Sequence, residues 1–420
     1  MSSAAAFGCL ITVLVLAILQ PLAGKLGLTD LPTHRKSHEG EVPLVGGLAI
    51  YVGFVTTCLL LGLHNDRQVA AFIYAGGLLL AVGAVDDRVE LSPVARLAAQ
   101  TSAALILCFS GTVVESFGEL LIPGHELTLG ALAIPFTVFA TVALINAVNM
   151  SDGIDGLAGS QTLISLAGVT AVAAIAGGLH VLPPLLALGG AVVAFLAFNL
   201  RSRWRARAAV FLGDAGSNFL GLGLAWVLIR LSQNDSAYLL PAAALWFVSL
   251  QVFDTVEVVA RRLMRKRSPF DADREHLHHV FLLAGFSVNE TVLVMGLLAT
   301  GSGLVGILAA VLQPPEGAVF FGFVLCGALF LGVMLRTWRT MRFLRWSICR
   351  RKNGRDRRRP PAAAWTKAER RSGVDRRGFP AATSGSPPRS PNYRAAAPSE
   401  GADTGAFLRR PRIGLMRRRR

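Results

Sequence analysis

The stretch Asn146-Ala147-Val148-Asn149-Met150-Ser151-Asp152-Gly153-Ile154-Asp155-Gly156-Leu157-Ala158 lies between two long apolar runs. It holds carboxamides, carboxylates and glycines, although ionisable groups at a membrane boundary are costly. Asp152 and Asp155 are three residues apart, which on a helix places both carboxylates on one face. Carboxylates and carboxamides are oxygen ligands of the kind that Mg2+ takes, together with waters and substrate phosphates. The stretch therefore predicts a functional site at a membrane surface.

The composition is that of a membrane protein. The chain has 420 residues, of which 53% are hydrophobic and 16% are charged, and its mean hydropathy is +0.51. This is not the profile of a soluble globular protein. Apolar runs of membrane-spanning length recur along it, at approximately 4–23, 44–63, 69–85, 95–111, 131–149, 160–177, 181–199, 215–231, 238–258, 288–312 and 318–335. The fold class predicted is all-α, a polytopic integral membrane protein with about eleven transmembrane helices.

The net charge of +16 comes from the C-terminal part of the chain. The segment from Arg336 onward holds 25 of the 42 Lys and Arg residues and only 5 of the 26 Asp and Glu residues. We therefore divide the chain into a transmembrane domain, 1–335, and a basic tail, 336–420, whose composition predicts disorder. Such a tail lies on anionic lipid or binds nucleic acid non-specifically, and no specific nucleic-acid partner is predicted.

Basic residues are distributed unevenly between the predicted loops. Alternate loops carry fifteen Lys and Arg residues, whereas the opposite loops carry only Arg67 and Arg230. By the positive-inside rule the first set and the tail are cytoplasmic, so the N-terminus is predicted to be outside. A cleaved signal peptide is the weaker interpretation, because no basic residue precedes the first apolar run. The five cysteines form no Cys-x-x-Cys pair and predict neither a disulfide framework nor a thiolate metal site.

Two further polar clusters lie on the predicted cytoplasmic side. The first loop, 32–47, contains Lys36 and His38, and its basic residues and paired glycines suit an anionic headgroup or phosphate; ordinary positive-inside anchors are an equal alternative. Asp86 and Asp87 follow an apolar run. Adjacent carboxylates at a helix C-terminus face an unfavourable dipole and repel each other, which a bound cation would relieve. The alternative is a solvated cap that pairs with Arg88 or Arg96.

Two more clusters complete the set. Gly213-Asp214-Ala215-Gly216-Ser217 opens an apolar helix, whose N-terminal amides and dipole favour an anion; Asp214 is compatible with a phosphate there only if a cation bridges them. The alternative is an Asp N-cap beside a small-residue packing face. His276, His278 and His279 match no usual zinc spacing. Imidazoles beside arginines suit phosphate and base contacts better, and a solvated loop is the alternative.

In this order, the clusters resemble the polyprenyl-phosphate N-acetylhexosamine-1-phosphate transferases of glycosyltransferase family 4, which start peptidoglycan, O-antigen and teichoic-acid linkage synthesis. The resemblance covers residues 30 to 290, and the tail from about Arg336 lies outside it. The matching elements are Arg35-Lys36-x-His38-x-Gly40-x-x-Pro43-x-x-Gly46-Gly47, Asp86-Asp87, Asn146-x-x-Asn149-x-x-Asp152-Gly153-x-Asp155-Gly156-Leu157-Ala158, Phe211-x-Gly213-Asp214-x-Gly216-Ser217 and His276-x-His278-His279. The chain departs from the family in having Glu90 where a third Asp is frequent.

The resemblance implies transfer of a sugar 1-phosphate from a UDP-sugar to undecaprenyl phosphate, with release of UMP, at the cytoplasmic face of the bacterial inner membrane. It implies Mg2+ as cofactor, with Mn2+ as the alternative ion. Asp214 and Asn149 then resemble the metal ligands, and Asp86 and Asp87 resemble the pair that activates or orients the lipid phosphate. Asp152 and Asp155 resemble the essential acidic pair. The residues that the resemblance assigns to substrate binding are Lys36, His38, Asn146, Asn199, Arg262, His276, His278 and His279.

Three alternatives stay open at this point. UDP-N-acetylglucosamine is the donor that the 43–47 segment favours, and UDP-N-acetylmuramoyl-pentapeptide or another UDP-N-acetylhexosamine is the alternative. The rival class is a transporter for an anionic solute, although the polar clusters lie at helix ends rather than near the midplane where transporter sites lie, and no internal repeat is visible. The oligomeric state is open between a monomer and a homodimer.

Overall fold

The structure is a computed structural model, and it describes residues 2–30, 41–89, 91–233, 238–266 and 276–336. Several predictions fall outside these ranges and stay predictions. They concern Lys36, His38, Glu90, Arg274 and the tail beyond Arg336.

Helices make up nearly all of the regular structure in the described ranges. Thirteen α-helices occur there: α1 Ser2–Leu26, α2 Gly46–Leu60, α3 Arg67–Val89, α4 Pro93–Phe109, α5 Ala133–Ser151, α6 Leu157–Ile175, α7 Leu182–Asn199, α8 Gly213–Ser232, α9 Pro241–Ala244, α10 Ser249–Met264, α11 Leu277–Leu283, α12 Val288–Leu312 and α13 Glu316–Met334. Short 3-10 turns lie at Leu63–Asn65, Gly130–Leu132 and Leu245–Val248. The antiparallel strands β1 Thr29–Asp30 and β2 Val42–Pro43 pair at the two ends of the first loop.

The predicted fold class is confirmed. Nine helical segments in the described ranges are long and apolar enough to cross a membrane, with α9 and α10 counted as one segment, Pro241–Met264. The other two of the eleven predicted spans coincide with the apolar helices α2 and α4, which are shorter than the nine, so these two stay predictions. The division at residue 335 stays a prediction.

Helix α8 forms the centre of the bundle. Every residue of α8 is buried except Asp214 at its first turn and Arg230 at its last. Glycines let the neighbouring backbones come close: a Cβ on Gly47 would lie 2.2 Å from the Cα of Gly216, and a Cβ on Gly83 would lie 2.4 Å from the Cα of Ala215. Small residues at such contacts are typical of membrane bundles. This packing holds the N-terminus of α8 beside the C-terminal end of α3.

The ninth span is broken rather than continuous, which corrects the predicted single helix 238–258. A 3-10 turn, Leu245–Val248, separates α9 from α10, and α10 continues to Met264. Hydroxyl groups from neighbouring helices donate hydrogen bonds to backbone carbonyls at the break. Ser302 Oγ donates to the Trp246 carbonyl at 2.7 Å, and Ser165 Oγ donates to the Phe247 carbonyl at 2.5 Å. A 3-10 stretch inside a helix is frequent at functional hinges.

We expect a cysteine at position 203 to be labelled by a membrane-impermeant thiol reagent only after the membrane is permeabilised. The reason is the excess of basic residues in the loops on that side. The background is a variant in which the five native cysteines are replaced. A cysteine at Gly124, in a loop of the opposite set, is the matched control and should be labelled in intact cells. Strong labelling of residue 203 without permeabilisation would contradict the orientation.

Candidate active site

Asp87 caps the N-terminus of α8 from a different helix. Its Oδ1 accepts a hydrogen bond from the Asp214 backbone amide at 2.9 Å, and its Oδ2 accepts one from the Ala215 amide at 3.5 Å. Gly213 has a φ of +73°, and a Cβ there would lie 2.7 Å from Asp87 Oδ2. The position therefore requires glycine. The sequence predicted that these amides either bind an anion or are capped by Asp214 itself. In the structure, the side chain that caps them is Asp87.

Asn149, at the end of α5, holds the Asp214 side chain. Its Nδ2 donates to Asp214 Oδ1 at 2.9 Å and to Ser217 Oγ at 2.8 Å. The Asn149 and Asp214 side chains are both half-buried. This brings together the two residues that resemble metal ligands and adds Ser217, one turn along α8, to the set.

Asp86 is buried and held within its own end of the bundle. Its Oδ2 lies 2.8 Å from Arg96 Nε, and its Oδ1 accepts a hydrogen bond from the Leu91 amide at 2.6 Å. The pairing with Arg96 that the sequence left as an alternative is therefore present, although Asp86 is buried rather than solvated. Of the adjacent acids, Asp87 contacts the first turn of α8 and Asp86 anchors the start of α4.

Asp152 faces the same cluster, whereas Asp155 does not share its environment. Helix α5 ends at Ser151, so the two carboxylates lie on a loop and not on one helical face. The Asp152 carboxyl is solvent-accessible yet closely surrounded by protein, and this desolvation, followed by the charges of Asp214, Asp87 and Asp155, raises its pKa to about 7. Asp152 therefore belongs to a crowded group of negative charges.

Asp155 and Asn199 hold the loop between α5 and α6 in place. Asp155 Oδ2 lies 2.6 Å from Arg201 Nε and accepts a hydrogen bond from the Ala208 amide at 3.2 Å. Asn199 Oδ1 accepts from the Gly156 amide at 2.7 Å, and its Nδ2 donates to the Val210 carbonyl at 2.8 Å. Both side chains are bound within their own chain and hold the loop. The catalytic role predicted for Asp155 and the substrate contact predicted for Asn199 stay predictions.

Asn146 likewise belongs to the helix packing. Its Nδ2 donates to Gln100 Oε1 and to the Val142 carbonyl, both at 2.8 Å. Gln100 Nε2 in turn donates to Asn218 Oδ1 at 3.3 Å. This chain of side-chain amides joins α4, α5 and α8 where unpaired polar groups are costly. The predicted substrate contact at Asn146 is not tested by this geometry.

His276 is fixed by a buried acid that the sequence analysis did not single out. Its Nδ1 lies 2.8 Å from Asp254 Oδ2, and Asp254 Oδ1 accepts the Leu277 amide at 2.8 Å. Because a carboxylate only accepts, the proton of His276 lies on Nδ1. Asp254 thus sets both the tautomer of His276 and the start of α11.

His278 connects the histidine segment to the central stretch of the sequence. Its ring lies against Gly153, where a Cβ would be 2.2 Å from Nε2. The side chain is 1% exposed, and neither ring nitrogen has a hydrogen-bond partner among the residues that the structure describes. Burial, followed by the charge of His279, lowers the pKa of His278 to about 3, so the ring is neutral. The His279 ring centroid is 4.2 Å from that of His278.

Helix α10 turns a charged face inward. Asp254, Glu257, Arg261 and Arg262 are all buried, and Arg261 Nη1 donates to both oxygens of Glu257 at 2.8 and 3.0 Å. The predicted substrate contact Arg262 therefore lies within a helix and not in a loop. Asp254, Glu257 and Arg261 are separated by three and four residues, a spacing typical of one helical face. That spacing was the available signal for Asp254 and Glu257.

The acid cluster, Asp87, Asp152 and Asp214, is chemically compatible with the predicted Mg2+. Arg96 forms an ion pair with Asp86, and Arg201 forms one with Asp155. Within the described ranges, no cationic side chain is bonded to Asp87, Asp152 or Asp214. Across those ranges no three His, Cys, Asp or Glu side chains form a ready set of metal ligands. Mg2+ is usually held by one or two carboxylates, waters and substrate phosphates, so a sparse set with excess negative charge fits it.

The comparisons with known proteins agree with this site. The model of glycosyl transferase family 4 matches residues 69–232, which include most of α3 and the whole of α5 and α8. The undecaprenyl-phosphate alpha-N-acetylglucosaminyl 1-phosphate transferase of Escherichia coli (strain K12) is 32% identical over 339 residues, which are 80% of this chain and 91% of that protein. The transferase of the same name from Haemophilus influenzae is 34% identical over 335 residues, 79% of this chain and 93% of that protein. The Yersinia pestis transferase is 32% identical over 335 residues, with 79% and 90% covered.

The family match and the names of the relatives support a phospho-sugar transferase, and the nine apolar helical segments in the described ranges agree with a protein embedded in a membrane. The chain belongs to glycosyl transferase family 4. The predicted resemblance is confirmed, and of the two classes that the sequence left open, the transferase is the one that the relatives support.

We expect Asp254→Asn to raise the apparent KM for the nucleotide-sugar about tenfold and to leave the apparent KM for the lipid acceptor nearly unchanged. The variant loses the charge-assisted bond to His276, and such bonds contribute roughly 1.5–3 kcal/mol. Initial rates against each substrate in turn would measure the effect. Glu290→Gln is the control, because Glu290 completes the capping box of α12. Equal weakening for both substrates would show that Asp254 supports the fold and not the nucleotide-sugar side.

Proposed function

We propose that the chain transfers N-acetylglucosamine 1-phosphate from UDP-N-acetylglucosamine to undecaprenyl phosphate, giving undecaprenyl-diphosphate-N-acetylglucosamine and UMP. The observation that carries the proposal is the meeting of three chain segments at one end of α8: Asp87, Asn149 with Asp152, and the His278 ring against Gly153. The names of the relatives support the donor and the acceptor.

Two anions must meet in this reaction, the lipid phosphate and the pyrophosphate of the donor. Catalysis is then mostly positioning and neutralisation of charge. Mg2+, when bound at Asp214 and Asn149, would polarise the transferred phosphoryl group and stabilise the leaving UMP. Asn149 orients the Asp214 carboxylate, and Asp87 fixes the backbone of the same residue. A lipid phosphate is already ionised at neutral pH, so direct displacement needs no strong general base, and Asp86 and Asp87 act by orientation.

The two substrates approach from different sides in this proposal. The donor binds beside α10 and α11, where Asp254 fixes His276 and the buried, neutral ring of His278 packs against Gly153. The acceptor phosphate comes from the bilayer toward Asp87 and Asp214. UDP-sugars are cytoplasmic, so the acid cluster faces the cytoplasm and the protein lies in the bacterial inner membrane. The product begins a cell-surface polysaccharide.

Another donor is the main alternative. UDP-N-acetylmuramoyl-pentapeptide or a different UDP-N-acetylhexosamine would use the same acid cluster and the same chemistry. The N-acetylglucosamine donor is favoured by the names of the relatives and by Pro43-Leu44-Val45-Gly46-Gly47 in the first loop.

The test is release of UMP by purified protein in detergent, with undecaprenyl phosphate, Mg2+ and a panel of UDP-sugars. We expect the highest kcat/KM with UDP-N-acetylglucosamine and no turnover when Mg2+ is chelated. A higher kcat/KM with UDP-N-acetylmuramoyl-pentapeptide would show that this sugar nucleotide, and not UDP-N-acetylglucosamine, is the donor. No UMP from any UDP-sugar, with protein shown to be folded, would overturn the proposed reaction.

A further inference from the structure

A groove opens between α6 and α7, next to the loop that follows α7. Its volume is about 640 Å3. Aliphatic side chains form its length, among them Leu163 and Val193, and Ala197 continues the same face of α7. Arg201, Trp204 and Arg205 close one end. The groove is therefore apolar along the helices and cationic where the helices leave the membrane.

The cations at this end have no acidic partner in the described part of the chain, apart from Arg201 with Asp155. Arg205 donates Nη1 to the Ala197 carbonyl at 2.7 Å, and the Arg203 guanidinium lies 4.1 Å from the centroid of the Trp204 ring. Arg205 lines the groove, whereas Arg203 is adjacent to it through its contact with Trp204. An arginine has five N–H donors, so both side chains keep donors for an anion. Trp204 is 82% exposed, as is typical of tryptophans at a membrane interface.

We propose that this groove binds an anionic phospholipid of the bilayer, with an acyl chain along Val193 and Ala197 and the headgroup phosphate on Arg205, next to the Arg203 guanidinium that stacks on Trp204. Basic pockets between transmembrane helices are the places where anionic headgroups bind. The order of groups in the groove, apolar and then cationic, matches the order of groups in such a lipid.

The occupant is a phospholipid and not the polyprenyl phosphate acceptor. None of Asp87, Asp152 and Asp214 lines the groove. Arg201 lies in the groove wall and is bound to Asp155 at 2.6 Å, so an ion pair separates this phosphate from the acid cluster.

The lipid also has a route to the candidate active site. Arg201 binds Asp155, and Asp155 shares one loop with Asp152 and Gly153, the residue against which His278 packs. A headgroup that orders the loop after α7 therefore stabilises the arrangement of Asp152. We infer that turnover rises when the groove is filled, a consequence that rests on the proposed function.

Binding is tested without any substrate, by native mass spectrometry of the full chain with phosphatidylglycerol or phosphatidylcholine added. Wild-type protein is expected to prefer phosphatidylglycerol. Arg203→Ala with Arg205→Ala should weaken its binding roughly 30-fold. Lys25→Ala is the control, because Lys25 is exposed at the end of α1 and outside the groove. An unchanged preference in the double variant would overturn the proposal.

A second pair of variants tests the apolar part of the groove while keeping every charge. Val193→Trp fills the groove from a position that is 46% exposed, and Leu304→Trp places the same ring on a lipid-facing position of α12 that is 52% exposed. Only Val193→Trp should weaken phosphatidylglycerol binding. Equal phosphatidylglycerol binding by the two variants would contradict the proposal that the lipid binds in the groove. Displacement of the lipid by equimolar undecaprenyl phosphate would show that the groove binds the acceptor instead.

Turnover in nanodiscs separates this inference from the proposed function. UMP release by wild-type protein should increase about threefold or more when phosphatidylglycerol replaces part of the phosphatidylcholine, and Val193→Trp should lose this increase. Lipid binding without UMP release from any UDP-sugar would overturn the proposed reaction and leave the lipid site standing. UMP release without a preference for phosphatidylglycerol in the binding measurement would overturn the lipid site alone.

Discussion

Asp214→Asn is expected to lower kcat about 100-fold or more and to abolish the stimulation by Mg2+. The substitution removes the carboxylate charge at the centre of the acid cluster while keeping an oxygen that can accept the Asn149 amide. The fold should persist, because the cap of α8 runs from Asp87 to the backbone amide of residue 214 and not through its side chain. UMP release measured over a range of Mg2+ concentrations would give both effects.

Asp66→Asn is the matched control for this substitution. Asp66 precedes α3 at the opposite end of the bundle and pairs with Arg230 at 2.5 Å, so its loss affects an ion pair and not the acid cluster. We expect the Asp66 variant to keep near-normal kcat and its Mg2+ dependence. Near-normal turnover of Asp214→Asn at low Mg2+ would show that Asp214 has only a structural role.

Gly153→Ala should lower kcat/KM about tenfold or more, with most of the loss in the KM for the nucleotide-sugar. The backbone at Gly153 does not have a positive φ, so alanine fits its conformation. The added Cβ, however, would lie 2.2 Å from His278 Nε2 and 2.6 Å from Cε1, so the buried ring must move. Overpacking in a tight interior costs roughly 1–3 kcal/mol, which is enough for the expected effect. Initial rates against each substrate would measure it.

Gly189→Ala is the control for the glycine substitution. Gly189 lies in α7, and a Cβ there would meet nothing within 4 Å. It should therefore leave kcat/KM unchanged or stabilise the helix slightly. If Gly153→Ala is as active as Gly189→Ala, His278 is free to shift without consequence, and its packing against Gly153 has no bearing on the nucleotide-sugar.

The helices were predictable because each depends on a local property, a continuous apolar run of spanning length. The break at Leu245–Val248 was not, because it depends on hydroxyls of Ser165 and Ser302, which are far away in the sequence. The length of α10 was underestimated for a related reason. Its polar residues look like a loop in sequence, but they face inward and pair within the protein, as Asp254 does with His276.

The candidate site could be predicted by residue type but not by the partner of each residue. The cost of polar groups at helix ends marks Asp87, Asp152 and Asp214 from the sequence alone. The same argument marks Asn146 and Asn199, whose amides are bound by their own chain. Composition gives the cost of a polar group at a membrane boundary. Only the packing decides whether a substrate or another helix meets it.

The cap that Asp87 provides to α8 affects how mutants of this residue should be read. Replacing a capping carboxylate with alanine typically costs about 1 kcal/mol of helix stability, whatever else the carboxylate does. An inactive Asp87→Ala protein therefore does not establish a chemical role, since the first turn of α8, with Asp214, loses its anchor at the same time. Asp87→Asn keeps an oxygen for the amide of residue 214, so its difference from the wild-type protein isolates the charge, and its difference from Asp87→Ala isolates the cap. In a screen for loss of function, position 87 would score as strongly as Asp214 for a partly different reason.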